Sequence, residues 1–545
     1  MLVVFDILTV LPLAAWFLGL LHGPDARHIS IVVFLVSGGI CRVRTGSWPI
    51  YGLWGAGKAL FQFLESRSRA RVLAVLLLAA VSFLLMMWRS MAGRMMMFDQ
   101  GIFNQIMWSL THGYGFRSTI EVPGNHLLVH FSPTLILVAP WVALLQFHPL
   151  ALVAISVVCT WGSVLAWMAI VRKHPDVLEE NRPFLEVLVL AMGAFFDSFW
   201  ANLHWGFHEA HLAMLAVSWG LYFWICKKDK IAILLLCLGA LCKEIYLLDI
   251  ALLFIAMAWI GQVRRWYYLV LSIALILVFF AYSKWSSEQV AHLPFEIPDG
   301  YLIDFFKHHY GYLGTSSVTD LVKSSFLRPT ELLTLWWTKV GVSGRWWFPF
   351  SVFAVFGFAL FMGRWRNQGP SGSDRLLVLG IVPSFATILL AEDGKLSDFG
   401  FQYVLLLWPV LFFVSVPGFQ ASPWGIRYLP AWGAVLVSFW SGGHDYWKMA
   451  RHGFMDYLAR RPFLAELEKV KPGESVLSDQ MGQTLSSRYV VQSPPHLQFF
   501  EGSCPDWIIT TSEQFDSDIK LVRSKCRSEY SFRFEASGMV GYKKL

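Results

Sequence analysis

"MMMFDQGIFNQIMWSLTHGYG", residues 95–115, follows one of the most apolar runs in the chain, residues 72–89. Asp99 and Gln100 open its polar part, and Asn104 and Gln105 follow among aromatic residues. Carboxylate and amide groups at the end of a bilayer-length run mark a boundary between lipid and water. The rest of the topology is counted from that boundary.

The 545 residues are 56% hydrophobic and 15% charged. Soluble domains average about 45–50% apolar and about 25% charged residues. Mean hydropathy is +0.52. Runs long enough to cross a bilayer, which takes roughly 20 apolar residues, recur along most of the chain. The composition indicates a polytopic helical membrane protein, with the bilayer rather than nucleic acid as its partner. The net charge of +7 comes largely from basic residues at segment ends, which act first as orientation signals. Residues 1–21 lack a basic leader and a small-residue cleavage site, so the first segment is expected to stay as an anchor.

Orientation follows from Lys and Arg. A first pair of segments, 3–21 and 29–41, leads through an amphipathic stretch to "SRSRAR", whose Arg67, Arg69 and Arg71 are expected on the cytoplasmic side. The run 72–89 then exits, which puts Asp99 just beyond the far face. Residues 131–147 are short and broken by Pro140, and read as an interfacial or re-entrant helix. Residues 149–171 return to "RKH", 184–200 exit, 210–226 return to "KKDK", and 231–242 exit to Lys243 and Glu244. Residues 247–261 return and 266–283 exit into a long aromatic loop. Spans at 346–362, 375–391, 402–417 and 427–441 complete the pattern. In this threading the Lys/Arg clusters share one side and most His, Asp and Glu clusters share the other.

Three parts are expected: an N-terminal hairpin and connector (1–70), a transmembrane domain (71–451) with outer loops 91–149 and 284–335, and a small extracytoplasmic α/β domain (452–545). The last contains short β-rich runs, "ESVLS", "RYVVQ" and "WIITT", between polar turns. Its cysteines, Cys504 and Cys526, are either a disulfide or two thiols. The other five read as small core residues.

The candidate chemistry lies on the outer side. Asp99 reads as an N-cap for "GIFNQIMWSLTHG", with Gln100, Asn104 and Gln105 on a helix lying along the membrane surface. It also reads as a general base at the mouth of a membrane cavity. "EVPGNHLLVHFSP" supplies Glu121, Asn125, His126 and His130. The two histidines share a face if helical. That spacing suits phosphate or sugar hydrogen bonding, a structural pair, or, less favoured, a divalent metal. "FFDSFWANLHWGFHEAH" adds Asp197, Asn202, His204, His208, Glu209 and His211. The three histidines form one stripe if the segment is a single helix. So many ionisable groups beside lipid are costly, unless they serve a site or sit at an interfacial helix end. Lys243 and Glu244 interrupt an apolar stretch. They read as a point charge for a lipid phosphate and its partner, or as a buried salt bridge. Gln402 and Tyr403 open the run after "AEDGKLSDFG" and are the last site candidates.

"FDQGIFNQIMWSLTHG", "NHLLVHFSPTLILVAPWVALL", "ANLHWGFHEAHLAML", "LCKEIYLL" and "FGFQYVLLLWPVLF" occur in an order that resembles a family of predicted bacterial and archaeal membrane proteins. The resemblance spans about residues 72–500. That family looks like a distant member of the GT-C superfamily, which transfers sugars from polyprenyl-phosphate donors outside the cytoplasm. The resemblance implies an all-α GT-C-like bundle of about 11–13 membrane segments with a small α/β C-terminal domain. It implies a cytoplasmic N-terminus in a prokaryotic cytoplasmic membrane. It also implies that Asp99 matches the first-loop acid and that the 197–211 cluster matches the second outer loop. Two positions depart from the family: Leu128 and Val129 stand where it usually has Gly and Asp, and Ile245 where it has Asp. Two acids fewer argue against a metal.

The leading expectation is sugar transfer from a polyprenyl-phosphate donor to an envelope acceptor, with Asp99 as base. The lipid-linked sugar is then the expected ligand in place of a cofactor. The alternatives are a transporter or flippase of a lipid-linked or small polar substrate, and a non-catalytic scaffold of the same fold. Transporters usually show internal repeats and midplane sites, and neither is visible in this sequence.

Overall fold

The computed structural model describes residues 59–91, 97–260, 265–292, 311–313, 324–339, 374–391 and 404–421, with gaps of one or two residues, and parts of 462–545. The first membrane hairpin, the span expected at 346–362 apart from Val352 and Phe356, the span expected at 427–441, Gln402, Tyr403 and Cys526 lie outside the described residues.

The helices begin with α1 (Ser68–Met91) and α2 (Met97–Thr111). A short α3 (Leu135–Leu144) precedes α4 (Pro149–Lys173), α5 (Arg182–Phe195) and α6 (Asp197–Trp205). Then come α7 (Glu209–Ile225), α8 (Asp229–Ala240), α9 (Glu244–Ile260) and α10 (Arg265–Ala291). Later pieces are α11 (Pro329–Lys339), a 3-10 turn Asp374–Ile381 running into α12 (Val382–Leu390), and α13 (Leu407–Ala421). Among the described residues three helices are long and apolar enough to span by themselves: Ser68–Met91, Leu150–Lys173 and Trp266–Val290. The α5–α6 pair makes a fourth if its 43° bend is one span. With 10 residues, α3 is about 15 Å long and too short to cross.

The chain alternates direction through this bundle. Helices α1, α5, α8 and α10 run toward the end that carries Asp99, and α4, α7 and α9 run away from it. Hydrogen bonds fix both ends. At the Asp99 end, Tyr282 Oη and Ser286 Oγ of α10 donate to the carbonyls of Leu127 (3.1 Å) and Leu128 (2.9 Å). At the opposite end, Tyr267 Oη of α10 donates to Asp229 at the start of α8 (3.0 Å). There Glu186 of α5 also accepts from Arg71 Nε (2.8 Å) and from Arg172 Nε and its terminal nitrogen (2.8 and 2.7 Å). Arg71, expected as an orientation charge, is therefore also buried, and through Glu186 it is joined with Arg172 so that α1, α4 and α5 meet at one carboxylate.

Close packing uses small residues, as membrane helices do. A Cβ at Gly220 would lie 2.9 Å from Leu236, so the α7–α8 approach requires glycine there. Buried indoles find serine partners: Trp167 donates to Ser218 (3.0 Å) and Trp408 to Ser198 (3.1 Å). Where the 3-10 turn becomes α12, the backbone N–H of Ser384 is freed beside Pro383. Asp249 of α9 accepts that N–H (3.0 Å) and the Ser384 hydroxyl. Irregular backbone at membrane depth is tolerated when protein groups satisfy it in this way.

The C-terminal region holds a five-stranded sheet, order β2-β1-β3-β5-β4. Its strands are β1 (Val476–Ser478), β2 (Val491–Gln492), β3 (Trp507–Thr511), β4 (Tyr530–Ala536) and β5 (Met539–Lys544). The first three fall on the β-rich runs read from sequence. The β4–β5 pair lies outside those runs, although β4 alternates apolar and polar residues (Tyr530, Phe532 and Phe534 against Ser531, Arg533 and Glu535). Pairing is parallel on either side of β1 and antiparallel for β3–β5 and β4–β5. Glu474 gathers the open side, accepting from Lys471 N, Trp507 Nε1 and Lys543 Nζ at 2.7–2.8 Å. Cys504 is disulfide-bonded.

Candidate active site

Asp99 is the third residue of α2, which starts at Met97. It is a first-turn acid rather than the N-cap expected from the sequence, because the helix begins two residues earlier. A carboxylate in the first turn meets the positive end of the helix dipole. On α2, Gln100, Asn104 and Gln105 all face the protein interior and are buried. Asn104 Nδ2 donates to the Phe147 carbonyl at the end of the α3 segment (3.1 Å).

Asp99 Oδ2 lies 3.1 Å from His208 Nε2, and the side chains are 29% and 2% exposed. The outward-facing group is thus the acid, and the imidazole stands behind it. His208 immediately precedes α7. His204, His208 and His211 do not form one stripe, because Gly206 at φ +97° breaks the chain between α6 and α7. L-residues rarely adopt that conformation, and glycine does so freely. The break sends His204 to Arg89 at the end of α1 (Nε2 to guanidinium, 2.6 Å). His211 Nδ1 turns back to the His208 backbone, 3.3 Å from its nitrogen.

Glu209 and Lys243 meet at 3.1 Å, each 1% exposed. The lysine expected to serve a lipid phosphate is therefore already neutralised by a carboxylate from another helix. Glu244, beside it in sequence, instead accepts from Phe131 N (3.0 Å) and faces His130 Nδ1 (3.3 Å). These contacts fasten the 126–131 turn to the start of α9. Thr134 strengthens the attachment by donating to the Leu238 carbonyl (3.2 Å).

Residues 116–118 and 124–126 pair with each other as a hairpin. His126 N donates to Phe116 O (2.9 Å), and Ser118 N to Gly124 O (3.1 Å). Asn125 caps the short turn after it by accepting from Leu127 N (3.0 Å). Inside this hairpin Glu121 Oε1 sits 2.8 Å from His126 Nδ1, both side chains buried. Burial opposes a charge on His126. The neighbouring Glu121 carboxylate outweighs it and holds the imidazole above its ordinary range. The His126 and His130 rings are 5.7 Å apart, and Phe103 of α2 packs edge-on against both His126 and His208.

The structure thus gathers Asp99, Glu121, His126, His130, His208, Glu209, Lys243 and Glu244 at one end of the bundle. It does not bring every candidate there. Asn202 is buried and donates within α6 to the Ser198 carbonyl (2.6 Å). Gln402 and Tyr403 lie outside the described residues, as does the side chain of Asp197. Arg89 was hidden at the end of an apolar run, where a basic residue reads as a span terminus. A lone acid inside an apolar run, as in "PFLEVLVL" and "YLLDIALL", was the signal for Glu186 and Asp249. Among the described residues no group of three or more His, Cys, Asp or Glu is placed to hold a metal ion. What the cluster can do is hold Asp99 as a partly open carboxylate backed by an imidazole, which suits proton abstraction from a hydroxyl.

No curated protein matches the chain. Several solved structures resemble it, two of them ArnT. One is ArnT from Cupriavidus metallidurans bound to undecaprenyl phosphate, at 12% identity and TM-score 0.48, covering 87% of this chain and 98% of that one. The other is ArnT from the same organism in the apo state, at 12% identity and TM-score 0.46, covering 86% and 97%. A family model does match, over residues 94–439, from just before Asp99 to beyond α13. The chain belongs to the family described as predicted membrane protein, DUF2079.

Proposed function

We propose that this protein is a GT-C-type membrane glycosyltransferase. A polyprenyl-phosphate sugar lies between membrane helices with its sugar at the Asp99 end. Asp99 takes the proton of an acceptor hydroxyl, and that oxygen bonds to the anomeric carbon. The bond from that carbon to the phosphate oxygen breaks, and polyprenyl phosphate leaves with the electron pair. The observation that carries this reading is the placement of Asp99, 29% exposed in front of the buried His208 and at the edge of a mostly buried acid–imidazole cluster. The positive-inside bias puts this end outside the cytoplasm, so the acceptor is an envelope molecule. The Cys504 disulfide suits an oxidising compartment. Arg89, which meets His204 at the Asp99 end of α1, is the cation assigned to the leaving phosphate.

Transport is the weaker reading. The groups named above gather at one end of the bundle, and the fully buried Asp249 is engaged in satisfying the α12 backbone.

The test is lipid mass spectrometry on purified wild type, Arg89→Gln and Asp99→Asn, followed by transfer assays with polyprenyl-phosphate sugars. Polyprenyl phosphate or its sugar adduct is expected with wild type, depleted in Arg89→Gln and retained in Asp99→Asn. Transfer by Asp99→Asn should fall by about 10²–10⁴-fold. The proposal is refuted if no sample carries such a lipid, under detergent conditions that preserve a known polyprenyl-phosphate enzyme.

A further inference from the structure

The hairpin 116–126 lies against α2. Ser109 Oγ donates to the Arg117 carbonyl (2.9 Å) and Ser118 Oγ to Gln105 (3.4 Å). Phe116 and Ile120 pack with Phe103, Ile106 and Met107. The buried pair inside it, Glu121 and His126, ties one limb of the fold to the other. Each member has one further buried atom, Glu121 Oε2 and His126 Nε2, with no hydrogen-bond partner among the described residues. The attachment between them therefore rests on a single charge-assisted contact in a low-dielectric setting. Breaking such a pair leaves an uncompensated buried charge, which is far more costly than breaking an exposed pair.

We infer that the Glu121–His126 pair is a proton-dependent lock on this hairpin, which packs on the face of α2 behind Asp99. The Phe103 ring links the lock to the site: its centroid is 5.5 Å from His126 and 5.9 Å from His208. The charged and titratable groups around His126 are Glu121 in the hairpin, His130 in the following turn, Glu209 and His208 on the α7 side, and Lys243 before α9. Glu121 and Glu209 favour the imidazolium, and Lys243 opposes it.

The sign follows from the direction of the His126 shift. A histidine raised above its unfolded value stabilises fully below that value, about 6.5, and the contribution is lost as pH rises through the folded value. The hairpin is therefore held by this contact below about pH 6.5 and loses the contribution as pH rises through the raised folded value of His126. One linked proton changes the opening equilibrium by at most about tenfold per pH unit. Regulation of activity by this lock rests on the glycosyltransferase reading; the lock itself does not.

The experiment is pulsed trypsin cleavage after Arg117 in the full-length detergent-solubilised protein, from pH 6 to 10. Arg117 is exposed, but its backbone is hydrogen-bonded into the hairpin, so cleavage needs opening. A free peptide of residues 112–122 corrects for the protease's own pH dependence. Wild type should give a flat, low corrected rate that climbs by up to about tenfold per pH unit once His126 loses its proton. Glu121→Gln and His126→Gln should both cleave faster at pH 6 and show no climb. A flat wild-type profile across the whole range overturns the lock, and so does either variant keeping the wild-type slope. These outcomes are independent of whether polyprenyl phosphate co-purifies, so failure of the lock and failure of the transferase reading are separable.

Discussion

Replacing Lys243 by Met removes the cation from a pair whose two side chains are each 1% exposed. Glu209 then keeps a buried charge. Its other oxygen has no hydrogen-bond partner among the described residues, so Lys243 is its main compensation. Breaking a buried pair from one side costs about 3–5 kcal/mol. His126, His130 and His208 lie close enough to lend partial compensation when protonated, which favours the lower end of that range. About 3 kcal/mol is roughly a hundredfold in the folded-to-unfolded ratio. The double variant Lys243→Met/Glu209→Leu removes both charges and should cost less than Lys243→Met alone, because no charge is left buried. The assay is reversible unfolding by sodium dodecyl sulfate in mixed micelles, followed by circular dichroism, on wild type, both single variants and the double. Two results refute the reasoning: Lys243→Met within about 1 kcal/mol of wild type, or a double variant whose cost is the sum of the singles. Contacting charges should be non-additive by about 0.5–3 kcal/mol.

Asp249→Ala strands the Ser384 N–H and hydroxyl in the core and should cost about 1–3 kcal/mol in the same titration. Asp249→Asn keeps an acceptor and should cost less; equal costs would show that the carboxyl does not act through Ser384. In the C-terminal sheet, burial alone would raise Glu474, but the bonds from Lys543, Lys471 N and Trp507 outweigh it and hold it below the ordinary carboxylate range. Its contribution is present above about pH 4.5 and lost as pH falls through the lowered folded value. Hydrogen exchange of the β1, β3 and β5 peptides, corrected for intrinsic rates, should therefore speed up below that point in wild type. It should change less in Glu474→Gln, and identical profiles would exclude the Glu474 cluster as the cause.

Much of the membrane architecture is written in local composition. Apolar run length and basic ends are local properties, and they announce α1, α4 and α10 without any knowledge of neighbours. The segments carrying chemistry were legible for a related reason: Asp99, His208 and Glu209 interrupt lipid-compatible sequence, which is conspicuous because it is energetically expensive. The three β-rich runs 474–478, 488–492 and 507–511 were likewise visible through branched and aromatic residues.

Partner choice was not legible, because it depends on which helix ends meet. Lys243 adjoins Glu244 in sequence, yet it pairs with Glu209, since the starts of α7 and α9 face each other while Glu244 turns to His130 and Phe131 N. The stripe expected for His204, His208 and His211 failed at a single backbone angle, the left-handed Gly206, which periodicity does not see. Asp99 reads as a cap from its residue type, but only packing buries α2 and places an imidazole 3.1 Å behind the carboxylate. The sequence by itself determined which residues tolerate lipid and which demand a polar partner. The tertiary structure alone decided who those partners are, because hydrogen bonds and ion pairs act over about 3 Å while the residues they join here stand up to 210 apart in the chain.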